Sequence, residues 1–278
     1  MLYSTEIDNM EILQAILLGI VQGLTEFLPV SSTGHLILAR EILGMEIENG
    51  LAFDAILHLA TAGAVVLYFQ KDIWVLINTV LRRFSRLPVN RRDMVLVYAL
   101  MAGTVPAIIA GLLLESTMET VFRNPLLVAG VLVAGSFLFM YAEWVYENSY
   151  PQNEMSVMKA IKIGLFQCLA LVPGMSRSGA TISGGMLLGL SRHEAARFAF
   201  LLAVPIMLGA GTKKFLGLIQ SSDPVPWLSV GVGATAAFLT GLFAVHFMLR
   251  FVRSHSLWPF IWYRIILAGF VIFVITFG

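Results

Sequence analysis

Six stretches of this chain, approximately residues 52–69, 94–114, 125–142, 197–219, 226–249 and 259–277, stay apolar long enough to cross a bilayer, where a helical crossing takes about 20 residues. No other feature limits the fold so strongly. A chain of 278 residues that is 58% hydrophobic and 13% charged cannot cover a soluble surface, for which roughly 25% charged residues is usual, without exposing aggregation-prone patches. The expectation is an all-α polytopic protein forming one integral membrane domain over 1–278. With 18 basic and 17 acidic residues, it has no basic field for nucleic acid. The single Cys168 excludes an intrachain disulfide or a multi-thiolate metal site. Met1 to Glu11 is acidic (Glu6, Asp8, Glu11) and lacks the basic region and cleavage site of a secretory signal, so it is expected to belong to the mature chain.

Two further apolar segments, 10–44 and 159–190, are interrupted by Pro29-Val30-Ser31-Ser32-Thr33-Gly34 and by Pro173-Gly174-Met175-Ser176-Arg177-Ser178-Gly179. Backbone that leaves helical geometry at membrane depth must be buried in protein or line a wet cavity. Both segments are therefore expected as re-entrant helix–loop–helix hairpins, in addition to about six transmembrane helices.

Segment 70–93 carries Lys71, Arg82, Arg83, Arg86, Arg91 and Arg92 and is expected inside by the positive-inside rule, unless it is only a solvated amphipathic helix. Alternation then puts 115–124 and 220–225 outside and 143–158, 191–196 and 250–258 inside, with both termini outside. Arg192, Arg250 and Arg253 agree, and the outside loops add only Arg40 and Arg123.

The chain also resembles itself. At an offset of 145, Gly19, Gln22, Leu24, Ser31 and Gly34 meet Gly164, Gln167, Leu169, Ser176 and Gly179. Val105-Pro106 resembles Val204-Pro205, and at an offset of 101 Pro125, Gly130, Val131 and Phe137 meet Pro226, Gly231, Val232 and Phe238. This gives repeat 1 over about 10–142, with 52–69 as an extra helix, repeat 2 over about 159–250, and a final helix 259–277. Three crossings separate the hairpins, so the repeat is inverted. In such architectures half-helix N-termini converge near the midplane and offer amides and positive dipole ends to an anion.

Chemistry concentrates in the hairpins. Gln22 and Glu26 stand four residues apart on one helical face, and a carboxylate inside a membrane segment defaults to a functional reading. Ser31 and Ser32 are placed to cap a half-helix. His35, three residues beyond Ser32, brings an imidazole near a hydroxyl, as nucleophile activation requires. In the second hairpin Gly174 allows close backbone approach, and Arg177 offers a planar fork for phosphate, alongside Ser176, Ser178 and Thr181. An ion pair between Glu26 and Arg177 is the alternative, and it would hold both hairpins around one cavity. This inventory suits phosphoryl transfer. A diphosphate carries more charge than one arginine offsets, so a divalent cation is expected, Mg²⁺ or Ca²⁺, on Glu26 with Gln22. Asp54 and His58 are expected as a pair within their helix, and Arg264 is expected to snorkel to the cytoplasmic face.

These residues resemble the undecaprenyl-pyrophosphate phosphatases of the bacitracin-resistance family. The resemblance covers essentially the whole chain and is most specific at Gln22 to His35 and at Pro173 to Thr181. It implies a multi-pass bacterial inner-membrane enzyme with inverted repeats and an outward-opening site. Such an enzyme removes the terminal phosphate of a C55 isoprenoid diphosphate, recycling the carrier lipid for peptidoglycan synthesis and conferring bacitracin resistance. By position, Glu26 would place the cation and Arg177 would hold the diphosphate. Ser32 and His35 would serve the nucleophilic and acid/base steps, and Ser176, Ser178 and Thr181 would complete the cradle. Members often have glutamate where this chain has Gln22, which puts a two-carboxylate metal site in doubt.

The competing class is a secondary transporter or lipid flippase, whose signature is broken helices in inverted repeats. Against it, Glu26 aligns with Leu171 and Arg177 with Ser32, so each half supplies different chemistry. Gly184-Gly185 and Gly231-Val232-Gly233 suit helix packing within one chain or between copies, which leaves a homo-oligomer open.

Overall fold

The structure, a computed structural model, describes the backbone of residues 2–43, 50–120, 124–220 and 226–277 and the side chains of 12–40, 53–114, 124–220 and 226–277. Glu6, Asp8, Glu11, Arg123 and the loop 221–225 therefore lie outside the described side chains. Eleven helices and no strand occur among the described residues: α1 Leu2–Phe27, α2 Ser32–Leu43, α3 Gly50–Tyr68, α4 Gln70–Phe84, α5 Arg91–Thr120, α6 Pro125–Glu147, α7 Val157–Leu169, α8 Arg177–Leu187, α9 Arg192–Gln220, α10 Trp227–Phe251 and α11 Trp258–Phe277.

Five of these, α5 (over Arg91–Leu114), α6, α9, α10 and α11, are long and apolar enough to cross a membrane, and the pair α3–α4 makes a sixth candidate, bent by 79°. The protein is a multi-pass helical membrane protein. The bend follows from composition: α3 is almost wholly apolar, whereas α4 alternates charge with Trp74, Ile77, Leu81 and Phe84, all exposed. That pattern lies along an interface rather than through it. Thr79 of α4 is buried, and Asp72 pairs with Arg197 of α9, fixing α4 against the bundle.

Both interrupted segments have the helix–break–helix form. α1 ends at Phe27 and α2 begins at Ser32; α7 ends at Leu169 and α8 begins at Arg177. The breaks echo each other at the sequence offset. Ser31 (φ 76°) accepts the Gly34 amide at 3.4 Å, and Ser176 (φ 74°) accepts the Gly179 amide at 3.2 Å. Each serine is thus an N-cap held in the left-handed region, a conformation costing a non-glycine residue about 1–3 kcal/mol that clusters where function needs it.

Close helix crossings repeat in the same way. α1 packs on α10, where Gly19 lies against the Gly233 carbonyl, and α7 packs on α5, where Gly164 lies against the Gly103 carbonyl, with no room for a Cβ at either. α3 packs against α9 and α10, α11 against α6, and α8 against α6 and α9. The main core joins Phe27 and Val65 to Phe139, Ile163, Ile182, Phe200, Val245 and Ile261. At its centre Phe27 meets Phe200 edge-to-face, centroids 5.5 Å apart.

Candidate active site where the two hairpins meet

The breaks touch. The Gly174 amide donates to Ser31 Oγ at 3.2 Å, and Ser178 Oγ donates to the Leu28 carbonyl at 3.0 Å, so each hinge completes a hydrogen bond of the other. Gly174 has φ +100°, and a Cβ there would run into the Val128 carbonyl, so this turn requires glycine. None of the hydrogen bonds among the described residues uses the amides of Ser32, Thr33, Arg177 or Ser178. These are the open first-turn donors that a helix N-terminus presents to an anion.

Glu26, at the end of α1, is paired with Arg177 at the start of α8. Its side chain is 2% exposed and that of Arg177 20%. The other carboxylate oxygen, Oε2, accepts Ser32 Oγ at 2.7 Å and Gln22 Nε2 at 2.9 Å, with His58 Nδ1 at 3.3 Å. Gln22 Nε2 also lies 2.9 Å from His58 Nδ1, so its Oε1 is left buried with no partner. Glu26, Phe27, Arg177, Ser178, Ala199, Phe200 and Ala203 line a small cavity at this point. The ion-pair alternative is thus realised, and the pair sits on the cavity wall.

Two expectations, the Asp54–His58 pair and a snorkelling Arg264, are overturned, and the remaining residues fall as follows. His35 makes no hydrogen bond to Ser32. Its Nδ1 lies 2.8 Å from the Ser31 carbonyl, which can only accept, so in the neutral ring Nδ1 carries the proton and Nε2 accepts from Tyr263 at 2.6 Å. The imidazole stacks on the Tyr263 ring at 5.6 Å, while Ser32, at the first position of α2, turns back to Glu26. Thr181 donates within its own helix to the carbonyls of Arg177 and Ser178. Asp54 and His58 do not pair with each other, because Asp54 holds Arg40 across α2 and α3 and His58 turns to Gln22 and Glu26. Arg264 does not reach an interface: it is fully buried and donates to Ser136 Oγ and to the Leu132, Gly174 and Met175 carbonyls. Ser176 Oγ lies 3.1 Å from Ser178 Oγ, so those two hydroxyls share one edge of the turn.

Tyr263 and Arg264 were not legible as site residues from their own helix, which reads as an ordinary crossing. The available cue was an arginine in the middle of an otherwise apolar segment, the reasoning that singled out Arg177.

The family model described as bacitracin resistance protein BacA matches residues 15–270. The chain belongs to this family. An undecaprenyl-diphosphatase of Rubrobacter xylanophilus is 44% identical over 266 residues, covering 94% of this chain and 97% of the relative. One from Geotalea daltonii is 42% identical over 276 residues, covering 97% of this chain and 100% of the relative. Another, from Idiomarina loihiensis, is 40% identical over 260 residues, covering 93% and 97%. Membership of the BacA family covers both hinges, so the geometry above belongs to the part of the chain that the relatives share.

Proposed function

We propose that the chain hydrolyses undecaprenyl diphosphate to undecaprenyl phosphate and inorganic phosphate in the bacterial inner membrane, recycling the carrier lipid for peptidoglycan synthesis and conferring bacitracin resistance. The names of its relatives supply the substrate. The observation that carries the reading is the meeting of Glu26, Ser32 and Arg177 where two helix N-termini converge. Arg177 and the open amides of α2 and α8 bind the diphosphate oxygens. Ser32, its proton on Glu26 Oε2, is placed as an activated hydroxyl. Its Oγ attacks the terminal phosphorus, the proton passes to Glu26, and undecaprenyl phosphate leaves; water then cleaves the phosphoserine. Tyr263 occupies His35 Nε2, so this reading gives His35 a positioning or proton-relay role.

Among the described residues no three His, Cys, Asp or Glu gather as a metal cluster. The donors present are one carboxylate, the unpartnered Gln22 Oε1 and a hydroxyl. Such a hard-oxygen set fits Mg²⁺ or Ca²⁺ completed by substrate oxygens. Glu26 and Gln22 would hold it, and the cation would offset diphosphate charge. The two hairpins are read as re-entrant from opposite faces, with the site opening outward and both termini outside.

Phosphate release from farnesyl or undecaprenyl diphosphate by the detergent-solubilised protein tests this, with divalent cations chelated and then restored. Turnover that stops and returns is expected. Binding without release would instead support a transporter, since transport needs no bond cleavage. Full turnover with no phosphoryl label ever trapped on Ser32 or His35 would remove the covalent step.

A further inference from the structure

Arg264 of α11 is a cation at membrane depth for which no carboxylate partner exists among the described residues. Every other buried arginine there has one: Arg40 has Asp54, and the partly buried Arg177 and Arg192 have Glu26 and Glu143. Burying an arginine without a counter-ion is costly. Here every hydrogen bond of the guanidinium goes to a neutral oxygen. Nε donates to Ser136 Oγ at 3.2 Å, Nη1 to the Met175 carbonyl at 3.2 Å, and Nη2 to the Leu132 and Gly174 carbonyls at 3.0 and 2.9 Å.

Two of those acceptors belong to the turn that leads into α8. A trans peptide holds its C=O and N–H in opposite directions. Fixing the Gly174 and Met175 carbonyls therefore fixes the direction of the Met175 and Ser176 amides, and with them the start of the helix that presents Arg177. A second connection runs through Phe139. The guanidinium lies 4.6 Å from the centre of that ring, whose far edge packs on Gly179 with no room for a Cβ between them. Arg264 thus grips the turn by its carbonyls and the first turn of α8 through Phe139.

We propose that Arg264 is the positioning residue for the phosphate-binding turn: its fork aims the amides at the head of α8 at the diphosphate, and its unneutralised charge adds to the attraction of that site for anions. This rests on the phosphatase reading for its substrate but not for its geometry. Lysine in its place keeps the charge and loses the fork, since an ammonium cannot reach acceptors arranged around a plane. Gly135→Ala tests the same point from the other side, because the new methyl would collide with Arg264 Nη2 while leaving the charge in place.

The test compares the purified full chain with Arg264→Lys, Gly135→Ala and Ser136→Ala. Steady-state hydrolysis of farnesyl diphosphate is measured alongside hydrogen–deuterium exchange of segment 173–179. For Arg264→Lys and Gly135→Ala, kcat is expected to fall about tenfold or more with KM changed less than about threefold, because misaimed groups cost rate before affinity. Exchange should quicken in 173–179 and not across the bundle. Ser136→Ala removes one of the four acceptors of the guanidinium and should lower kcat about three- to tenfold, which keeps the proposal testable if the other two variants do not fold. Wild-type kcat in Arg264→Lys, or in Ser136→Ala where only that variant folds, overturns it, as does unchanged exchange in 173–179. Exchange that rises throughout the chain would make Arg264 a stability element only and likewise overturn it. A wild-type protein that releases no phosphate defeats the phosphatase reading, while the exchange data still decide whether the clamp exists.

Discussion

Glu26 is a crowded carboxylate: Arg177 takes one oxygen, and Ser32, Gln22 and His58 surround the other. Removing either member of this buried pair strands the other charge, which destabilises a protein by about 3–5 kcal/mol; bound diphosphate can stand in for Glu26 beside Arg177 but not for Arg177 beside Glu26. Glu26→Ala and Arg177→Ala are expected to lose about 10²–10³ in kcat, as when a group that stabilises transition-state charge is removed. Phosphate release from protein that remains monodisperse is the measurement, and near-normal turnover in both would dismiss the site. Tyr263→Phe deletes only the hydroxyl on His35 Nε2 and keeps the stacked ring. The loss of one hydrogen bond predicts a decline in kcat of about three- to tenfold with an unchanged melting temperature. A variant indistinguishable from wild type would leave His35 without a part in turnover. Glu26, Ser32 and Arg177 were readable because charge and hydroxyls in broken apolar helices are conspicuous. Tyr263 and His58 were not, since their partners lie 228 and 36 residues away and no local spacing announces such a contact.

At the scale of elements, the sequence offset of 145 becomes a physical correspondence: two capping serines with the same left-handed φ, and two glycine crossings that mirror each other. The packing repeats one contact of this kind: α1 meets α10 as α7 meets α5. What sequence could not give was the bend after Phe69, where a crossing turns into the interfacial α4. A run of apolar residues fixes length but not where a helix leaves the bilayer. The glycine crossings yield a paired prediction. Gly19→Ala and Gly164→Ala each force a methyl into a facing backbone carbonyl, and overpacking of this kind costs about 1–3 kcal/mol. Both are expected to lower the melting temperature in detergent by similar amounts. Gly231→Ala, with nothing within 4 Å of the added methyl, should leave it unchanged. Equal stability of all three would show that the crossings are looser than drawn.

Across the whole molecule, the few charges do two different jobs at different depths. Arg192 with Glu143, Arg197 with Asp72 and Arg40 with Asp54 each tie two helices together, whereas Arg177 and Arg264 converge on the hinge of α8. Orientation decides which aqueous phase that hinge serves. The basic run from Lys71 to Arg92 follows α3, Arg250 sits in the last turn of α10 and Arg253 just beyond it, so the bias of basic residues predicts that these ends face the cytoplasm and that the heads of α6 and α10 face outward. Cysteine accessibility reads this directly once Cys168→Ser has removed the native thiol. Ser85→Cys, exposed just beyond α4, should react with a membrane-impermeant maleimide only after the cells are opened, and Leu228→Cys, exposed at the head of α10, should react in intact spheroplasts. The reverse pattern would turn the molecule over and place the diphosphate site on the cytoplasmic side. The Glu26–Arg177 chemistry would survive that reversal, but a phosphatase that recovers carrier lipid from the outer leaflet would not.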